Sequence, residues 1–364
     1  MSARGKAGLS WRAWTLAGAL LVIWAVFFTA TGGTFASARN LALLARQMSV
    51  TALLAVGMVL VIVTGEIDLS VGAMSGLLGA VATIATVKAG WPLAAALASA
   101  LVLGAALGLA QGTIVARMRV PSFIVTLGGM LVFQGTLLGI TGGISISPGD
   151  AFLRIGQAYL GKAAGWAIAG ALAAALLLVP ARASGTSRGR RVALAAAILA
   201  FTALMNAYAG IPLPVLLLAA VAAAFSTIAN HTAFGRRLYA IGGNREAALY
   251  SGVSIERNVA GVFTLMGLLC GVAGVVLTAR VGSATSDAGR LMELDAIAAA
   301  VIGGTSLLGG RGTVWGALLG ALVMASLDNG MSLMNTEPYW QPILKGTILV
   351  AAVAADVAGR RPAR

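Results

Sequence analysis

Long apolar runs, separated by short polar or glycine-rich segments, make up most of the 364-residue chain. Most runs approach the ~20 residues that an α-helix needs to span the hydrocarbon core of a bilayer. A transmembrane β-barrel would instead show alternating hydrophobicity in segments of about ten residues. The pattern therefore predicts an all-α polytopic membrane protein with about 10–12 transmembrane helices.

The hydropathy pattern predicts twelve crossings, at residues 14–30, 48–63, 67–87, 91–116, 121–141, 163–179, 192–208, 212–229, 259–279, 296–308, 314–334 and 339–354. The run at 296–308 is shorter than a perpendicular helix requires, so we expect a half-helix or a re-entrant segment there. Residues 35–47 mix leucines with arginine and asparagine, which predicts a segment lying along the membrane interface. Residues 142–161 form a polar loop, and residues 162–208 add a further pair of helices.

The first run has a second interpretation. Ala36-Ser37-Ala38 has the small-residue form of a signal-peptide cleavage site. The run is long for the apolar part of a signal peptide and many spans follow it, so we favour an uncleaved first span.

The longest polar interruption is the central loop, residues 232–258, which carries Arg236, Arg237, Arg245 and Glu246. Within it, residues 244–251 are expected to form a short helix that ends at Gly252, because glycine readily adopts the left-handed conformation of a C-cap. We interpret this loop as the docking point of a soluble partner, although a solvated connecting helix is the default for such spacing. No loop is long enough to bury a core of its own. Residues 1–364 are therefore expected to form one transmembrane domain that another chain must energise.

Composition agrees with a lipid-embedded chain. The hydrophobic fraction is 59% and the charged fraction 10%, whereas soluble domains carry about 25% charged residues. The net charge of +14 is explained by the positive-inside rule, since an orientation with both termini in the cytoplasm places 17 of the 25 Lys and Arg residues inside. The single Cys270 excludes an internal disulfide, and the single His231 excludes a paired-histidine metal site.

Acidic residues inside a membrane cost about 2.5–3.5 kcal/mol each on insertion scales, so they often mark functional sites. Glu66 and Asp68 in GEIDLS, and Glu293 and Asp295 in MELDAIA, have the same Glu-apolar-Asp form. In the predicted topology the two motifs enter the membrane from opposite sides, which suggests an inverted repeat. They could line a pathway or form hinges, and helix N-capping is the equally weighted alternative. The full set of candidate pathway or hinge residues is Glu66, Asp68, Ser70, Glu293, Asp295, Asp328 and Asn329, the last two being expected near the interface.

Catalytic and nucleotide-binding motifs are missing from the sequence. The glycine-rich residues 303–313 lack the GxxxxGK[ST] pattern that cradles phosphates, and neither GxSxG nor HExxH occurs. We therefore expect no catalytic residue, no metal site and no cofactor in this chain. An ion-coupled secondary transporter of a small polar solute remains an alternative, as does a membrane-embedded enzyme.

Five motifs in order, GEIDLSVGAMSGL, PSFIVTLGGM, FGRRLYAIGGNREAALYSGV, ELDAIAAAVIGGTSLLGG and ASLDNGMSLM, resemble the sugar permeases of bacterial ATP-binding-cassette importers. The similarity covers nearly the whole chain and is strongest to the xylose branch of the ribose/xylose type.

This resemblance implies a non-catalytic inner-membrane permease for a monosaccharide, D-xylose by the branch it resembles. It also implies a second permease copy, a cytoplasmic ATPase with two cassettes that binds ATP and Mg, and a periplasmic sugar-binding protein. The residues that it implies for coupling to the ATPase are Gly243, Asn244, Arg245, Glu246, Ala247, Ala248 and Gly252.

Overall fold

The computed structural model describes residues 3–178 and 188–358, with side chains at 15–178 and 188–354. The chain termini and residues 182–187, the first part of the basic segment 182–191, lie outside the described residues, and both enter the predicted charge asymmetry.

The described chain is almost entirely α-helical, because long runs of Ala, Leu, Val and Ile satisfy their backbone hydrogen bonds internally and present side chains to lipid or to one another. The helices are α1 (Ala3–Ala30), α2 (Ala38–Val63), α3 (Val71–Val87), α4 (Leu93–Met118), α5 (Ser122–Thr141), α6 (Asp150–Gln157), α7 (Lys162–Leu178), α8 (Arg188–Asn206), α9 (Leu213–His231), α10 (Ala233–Gly243), α11 (Arg245–Tyr250), α12 (Ile255–Val281), α13 (Met292–Ile302), α14 (Val314–Leu333) and α15 (Trp340–Ala358). A 3-10 turn, Thr34–Ala36, precedes α2, and a two-residue antiparallel ladder pairs β1 (Tyr159–Leu160) with β2 (Ile211–Pro212).

Seven of these helices, α2, α4, α5, α8, α9, α12 and α14, are long and apolar enough to cross a membrane. Four further apolar helices are shorter, namely residues 15–30 of α1, α3, α7 and residues 340–354 of α15. The predicted all-α polytopic fold is confirmed.

The centre of the bundle is formed by α2 and α12, whose side chains are largely buried. Helix α12 packs along α4 at glycines on both helices, and a Cβ added to Gly104 would overlap the carbonyl oxygen of Gly267. Helix α14 packs on α13 in the same way, with Gly320 against the carbonyl oxygen of Ala299. Small residues allow this close approach, which maximises dispersion contacts where lipid provides no hydrophobic driving force between helices.

Two non-helical connectors interrupt the bundle. The 64–70 connector joins α2 to α3 and begins at the end of the bundle that carries α11, where Gly310 N donates to Val63 O at 2.8 Å. The 282–291 connector joins α12 to α13 and begins at the end that carries α6, where Ala284 exchanges hydrogen bonds with Ile146. We refer to these as the α11 end and the α6 end.

The two connectors therefore enter from opposite ends, in agreement with the expectation from the paired Glu-apolar-Asp motifs. The packing also repeats: α12 lies against α3 and α4, and α2 lies against α13 and α14. Helices α2–α5 and α12–α15 are thus arranged as an inverted pair, the organisation found in many transporters.

Two local expectations were wrong, and a third was met. Residues 35–47 are not an interfacial segment, because residues 38–47 form the first turns of the continuous helix α2 with Asn40 and Leu44 buried. The polar loop 142–161 contains the short helix α6, whose Phe152 is buried. The short run at 296–308 is helical only to Ile302, so α13 is the expected half-helix and a glycine-rich turn follows it.

Candidate functional site

Helix α11 is a separate element in the central loop, with a defined cap at each end. The side chain of Asn244 accepts a hydrogen bond from Ala247 N at 2.9 Å. At the other end Gly252 has a φ of 80°, and Val253 N donates back to Ala248 O at 3.0 Å. A glycine in this left-handed conformation ends a helix without steric strain. The predicted short helix and its glycine cap are confirmed.

The α11 helix presents apolar side chains to the outside of the bundle. Tyr250 is 89% exposed and Leu249 57% exposed. Glu246 and Ala247 are also exposed, whereas Ala248 is buried. The two alanines therefore lie on different sides of α11 and do not form one flat face.

Arg245, the first residue of α11, ties the helix to the 64–70 connector. Its Nη1 atom lies 2.8 Å from Glu66 Oε1, and the Glu66 side chain is only 10% exposed. The preceding helix is also held in place, since Tyr239 donates its hydroxyl proton to Gly312 O at 2.8 Å. Burial raises the pKa of Tyr239, so the phenol keeps that proton at neutral pH.

Asp68 is buried within the 64–70 connector and folds it locally. It accepts hydrogen bonds from the backbone and the hydroxyl of Ser70, at 2.8 and 2.7 Å. The Ser70 hydroxyl also lies 3.2 Å from Gln111 Oε1 on α4. Ser70 is the residue before α3, and Asp68 does not cap that helix directly. The capping alternative is therefore wrong for Asp68, which shapes the connector instead.

Glu293 lies where the two halves of the molecule meet. It is in the first turn of α13 and packs against Gly72 at the start of α3, where an added Cβ would overlap Glu293 Oε2. That oxygen is buried and has no hydrogen-bond partner within the described part of the chain. Gly289 also contacts Gly72, and this contact is between backbone atoms. The ends of the two connectors are therefore in direct contact inside the bundle.

Asp295 and Asp328 share one cation. Lys345 Nζ on α15 lies 2.9 Å from Asp295 Oδ2 on α13 and 3.0 Å from Asp328 Oδ2 on α14. All three side chains are at least four-fifths buried. Asp295 thus pairs with a distant helix, and the capping alternative is wrong for it too.

Asn329 forms a reciprocal amide pair with Asn40 on α2. Each side-chain nitrogen donates to the other side-chain oxygen, at 2.8 and 3.0 Å, and both residues are buried. Asp328 and Asn329 were expected near the interface, but their side chains point into helix–helix contacts.

The structure thus divides the predicted site residues into two groups. Glu66, Asp68 and Ser70 lie on the 64–70 connector, where Glu66 contacts α11 and Ser70 contacts α4. The remaining four, Glu293, Asp295, Asp328 and Asn329, lie among α2, α3, α13, α14 and α15. Sequence reasoning missed the partners of these residues, Asn40, Gln111 and Lys345. The only available signal was that each is a polar residue within an otherwise apolar run.

An open cleft of about 730 Å³ lies between the end of α4 and the start of α12. Arg117, Glu256 and Arg257 contribute charged groups to its wall. None of the predicted pathway residues lines it, so this cleft gives no support for a solute pathway.

Comparisons with known proteins show clear relatives. Residues 40–353 match the family described as "Branched-chain amino acid transport system / permease component". The chain is 47% identical to the xylose transport system permease protein XylH of Escherichia coli K12, an alignment that covers 98% of this chain and 94% of that protein. It is 44% identical to XylH of Haemophilus influenzae, covering 94% and 95%. The ribose import permease protein RbsC of E. coli K12 is 37% identical, covering 93% and 91%. No solved structure matches the chain significantly.

Proposed function

Because this chain belongs to the family of branched-chain amino acid transport system permease components, we propose that it is the membrane-spanning permease of an ATP-driven monosaccharide importer. D-xylose is the substrate we favour. The chain is a multi-pass inner-membrane protein and a transport subunit without a catalytic role of its own. Transport is powered by ATP and Mg bound to a partner ATPase.

The choice of substrate rests on the relatives. Identity to permeases named for xylose reaches 47% over nearly the full length of both chains, against 37% for permeases named for ribose. Both names denote pentose transport, although the family description names branched-chain amino acids. The additional helix pair, α7 and α8, is also a feature by which the sequence resembles the xylose branch.

The observation that carries the mechanism is how α11 is presented. It is a short capped helix with an exposed apolar surface at Leu249 and Tyr250, and it lies in the longest polar segment of the chain. Exposed aromatic residues on a rigid element are typical anchors of a protein interface. We propose that α11 docks on the cytoplasmic ATPase. Of the residues implied for coupling, Gly243, Asn244, Glu246, Ala247, Ala248 and Gly252 form or shape the contact, and Arg245 holds α11 on the permease through Glu66.

Two further partners complete the proposal. A second permease copy would form the pathway together with this one, because the cleft between α4 and α12 does not contain the predicted pathway residues. A periplasmic sugar-binding protein would deliver the sugar at the α6 end, opposite the ATPase. Both chain termini would then lie in the cytoplasm.

An ion-coupled transporter is the second candidate, and one observation favours it. The acids were expected near the ends of spans, but Asp68, Glu293 and Asp295 are buried inside the bundle, where proton- or ion-coupling acids are commonly found. However, Asp295 and Asp328 share the charge of Lys345, and Asp68 is held by hydrogen bonds from Ser70. Asp68, Asp295 and Asp328 thus have structural partners, so the ATP-driven mechanism requires no additional role for these three acids.

Reconstitution tests the proposal and separates it from this alternative. The purified chain is placed in proteoliposomes, with its candidate ATPase inside the vesicles and the binding protein outside. Uptake of labelled D-xylose into the vesicles is then measured. We expect uptake that requires ATP, is competed by unlabelled D-xylose more strongly than by ribose, and persists when an uncoupler collapses the proton gradient. Uptake that does not depend on ATP but is abolished by the uncoupler would establish the ion-coupled mechanism instead.

A further inference from the structure

The contact between Arg245 and Glu66 joins two segments that serve different purposes. Arg245 belongs to α11, the proposed docking element, whereas Glu66 belongs to the 64–70 connector, which leads into the middle of the bundle. The two residues are 179 positions apart, and their side chains form an ion pair of 2.8 Å with Glu66 largely buried. An ion pair shielded on one side from solvent is screened less by salt than an exposed pair.

Close backbone contacts beside this pair are made at glycines. Gly242, at the end of α10, lies so close to Val63 that an added Cβ would overlap its carbonyl oxygen, and Gly309 packs against the same glycine. Glycine surfaces lack interlocking side chains, so they permit one segment to shift along the other. Within residues 64–70 and 232–258, which the structure describes completely, Arg245–Glu66 is the one side-chain hydrogen bond that joins the two segments.

From Glu66 the connector is linked to the first turns of α5. Ile67 N donates a hydrogen bond to Ser122 Oγ at 3.1 Å, and Leu69 N donates to Thr126 Oγ1 at 3.0 Å. Side chains of α5 thus replace the backbone partners that the connector lacks because it is not helical. A displacement of Glu66 would therefore move the connector and the start of α5 together.

The connector is also linked to α4 and to the second half of the molecule. Ser70 contacts Gln111 on α4, and Gly72, two residues later, packs against Glu293 of α13. A continuous set of contacts thus leads from α11 to the point where the two inverted halves meet. A path of contacts by itself does not demonstrate coupling, so the link must be tested at a position where it can be broken and restored.

We infer that the Arg245–Glu66 ion pair is a positioning pair that transmits the movement of α11 to the 64–70 connector, and through it to α5 and α3. The inference rests on the proposed function, because it assumes that an ATPase moves α11. In this role neither residue contacts the sugar or ATP. Removing the pair should leave docking and ATP hydrolysis intact. The movement of α11 should then no longer be transmitted to the 64–70 connector.

The test uses the complete complex in proteoliposomes, with Glu66→Gln, Arg245→Gln and the charge exchange Glu66→Arg with Arg245→Glu. Three quantities are measured: the ATPase retained on co-purification, the rate of ATP hydrolysis, and D-xylose transported per ATP hydrolysed. We expect each single variant to retain the ATPase and to lower D-xylose per ATP about tenfold, within the usual range of coupling between sites. The charge exchange should recover most of the loss.

Arg237→Gln is the matched control, since Arg237 is an exposed arginine of the same central loop that forms no ion pair among the described side chains. It should transport D-xylose with the wild-type ratio. Arg245→Lys keeps the charge and should retain more coupling than Arg245→Gln. The inference is overturned if the single variants keep the wild-type ratio, if they release the ATPase, or if the charge exchange is no better than the single changes. A wild-type complex that neither assembles nor transports would instead refute the proposed function.

Discussion

Lys345 is the residue on which a buried charge cluster depends. It holds Asp295 and Asp328 at 2.9 and 3.0 Å, and these carboxylates come from two different helices. A buried carboxylate without a counter-charge is strongly unfavourable. One ammonium group therefore stabilises the packing of α13, α14 and α15 together.

Replacing Lys345 should destabilise the protein far more than the loss of an exposed lysine. We expect Lys345→Met to cost about 3–5 kcal/mol, the usual penalty for removing one partner of a buried ion pair. The apparent melting temperature of the detergent-solubilised protein measures the effect. Lys88→Met is the matched control because Lys88 is exposed at the end of α3, and it should melt like the wild type.

Neutralising the carboxylates checks the cause of that destabilisation. If the penalty arises from the uncompensated charges of Asp295 and Asp328, adding Asp295→Asn and Asp328→Asn to Lys345→Met should raise the melting temperature again. A Lys345→Met protein that melts at the same temperature as Lys88→Met would show that the cluster contributes little to stability.

At the level of elements, the end of α11 depends on one backbone conformation. Gly252 has a φ of 80° and an added Cβ would meet no neighbour there, so backbone strain is the main consequence of a substitution. An L-residue in this left-handed conformation costs roughly 1–2 kcal/mol. The strain would fall on the proposed docking helix.

Gly252→Ala should therefore reduce ATP-driven uptake while the protein still inserts into the membrane. Gly90→Ala is the matched control, because Gly90 has a φ of 67° with no neighbour near its Cβ position and lies in the loop between α3 and α4. Both variants should lose similar stability in a melting assay, but only Gly252→Ala should lower D-xylose uptake in proteoliposomes. Equal uptake by the two variants would argue against a role of the α11 cap in coupling.

The helices that the sequence predicts well are those whose apolar runs face lipid or apolar neighbours. The prediction failed at the start of α2 because Asn40 is buried there by its amide pair with Asn329, and hydropathy alone interprets such a residue as a boundary. It failed at α6 because this eight-residue helix buries Phe152 on one face only, which gives no apolar run. The length of the apolar run predicts that a half-helix such as α13 exists. It does not predict where that helix begins and ends.

The site was predictable as individual residues but not as an arrangement. Intramembrane acids are rare enough to be recognised one by one, and four of those singled out, Glu66, Asp68, Asp295 and Asp328, have polar partners in the structure. Their partners could not be predicted, because Glu66 meets Arg245 and Asp295 meets Lys345 through the packing of helices distant in sequence. A glycine-capped helix such as α11 is encoded locally, and its prediction was therefore reliable.

For the whole molecule, the inverted arrangement of α2–α5 and α12–α15 gives the two ends different roles. The 64–70 connector starts beside α11, and the 282–291 connector starts beside α6. The two meet at Gly72 and Glu293. A movement imposed at the α11 end would reach the junction of both halves, provided that this end faces the compartment where ATP is hydrolysed.

The orientation in the membrane can therefore decide between the ATP-driven account and its alternatives. Tyr250 is exposed at the α11 end, and Ile144 is 62% exposed in the loop at the α6 end. The single native cysteine, Cys270, is buried on α12, so it should give little background when cysteines are introduced at these two positions. We expect a membrane-impermeant maleimide to label Ile144→Cys in spheroplasts, and to label Tyr250→Cys only after the membrane is opened. The reverse pattern would place α11 outside the cell, where a cytoplasmic ATPase could not reach it, and both the docking of α11 and the role of the Arg245–Glu66 pair would have to be abandoned.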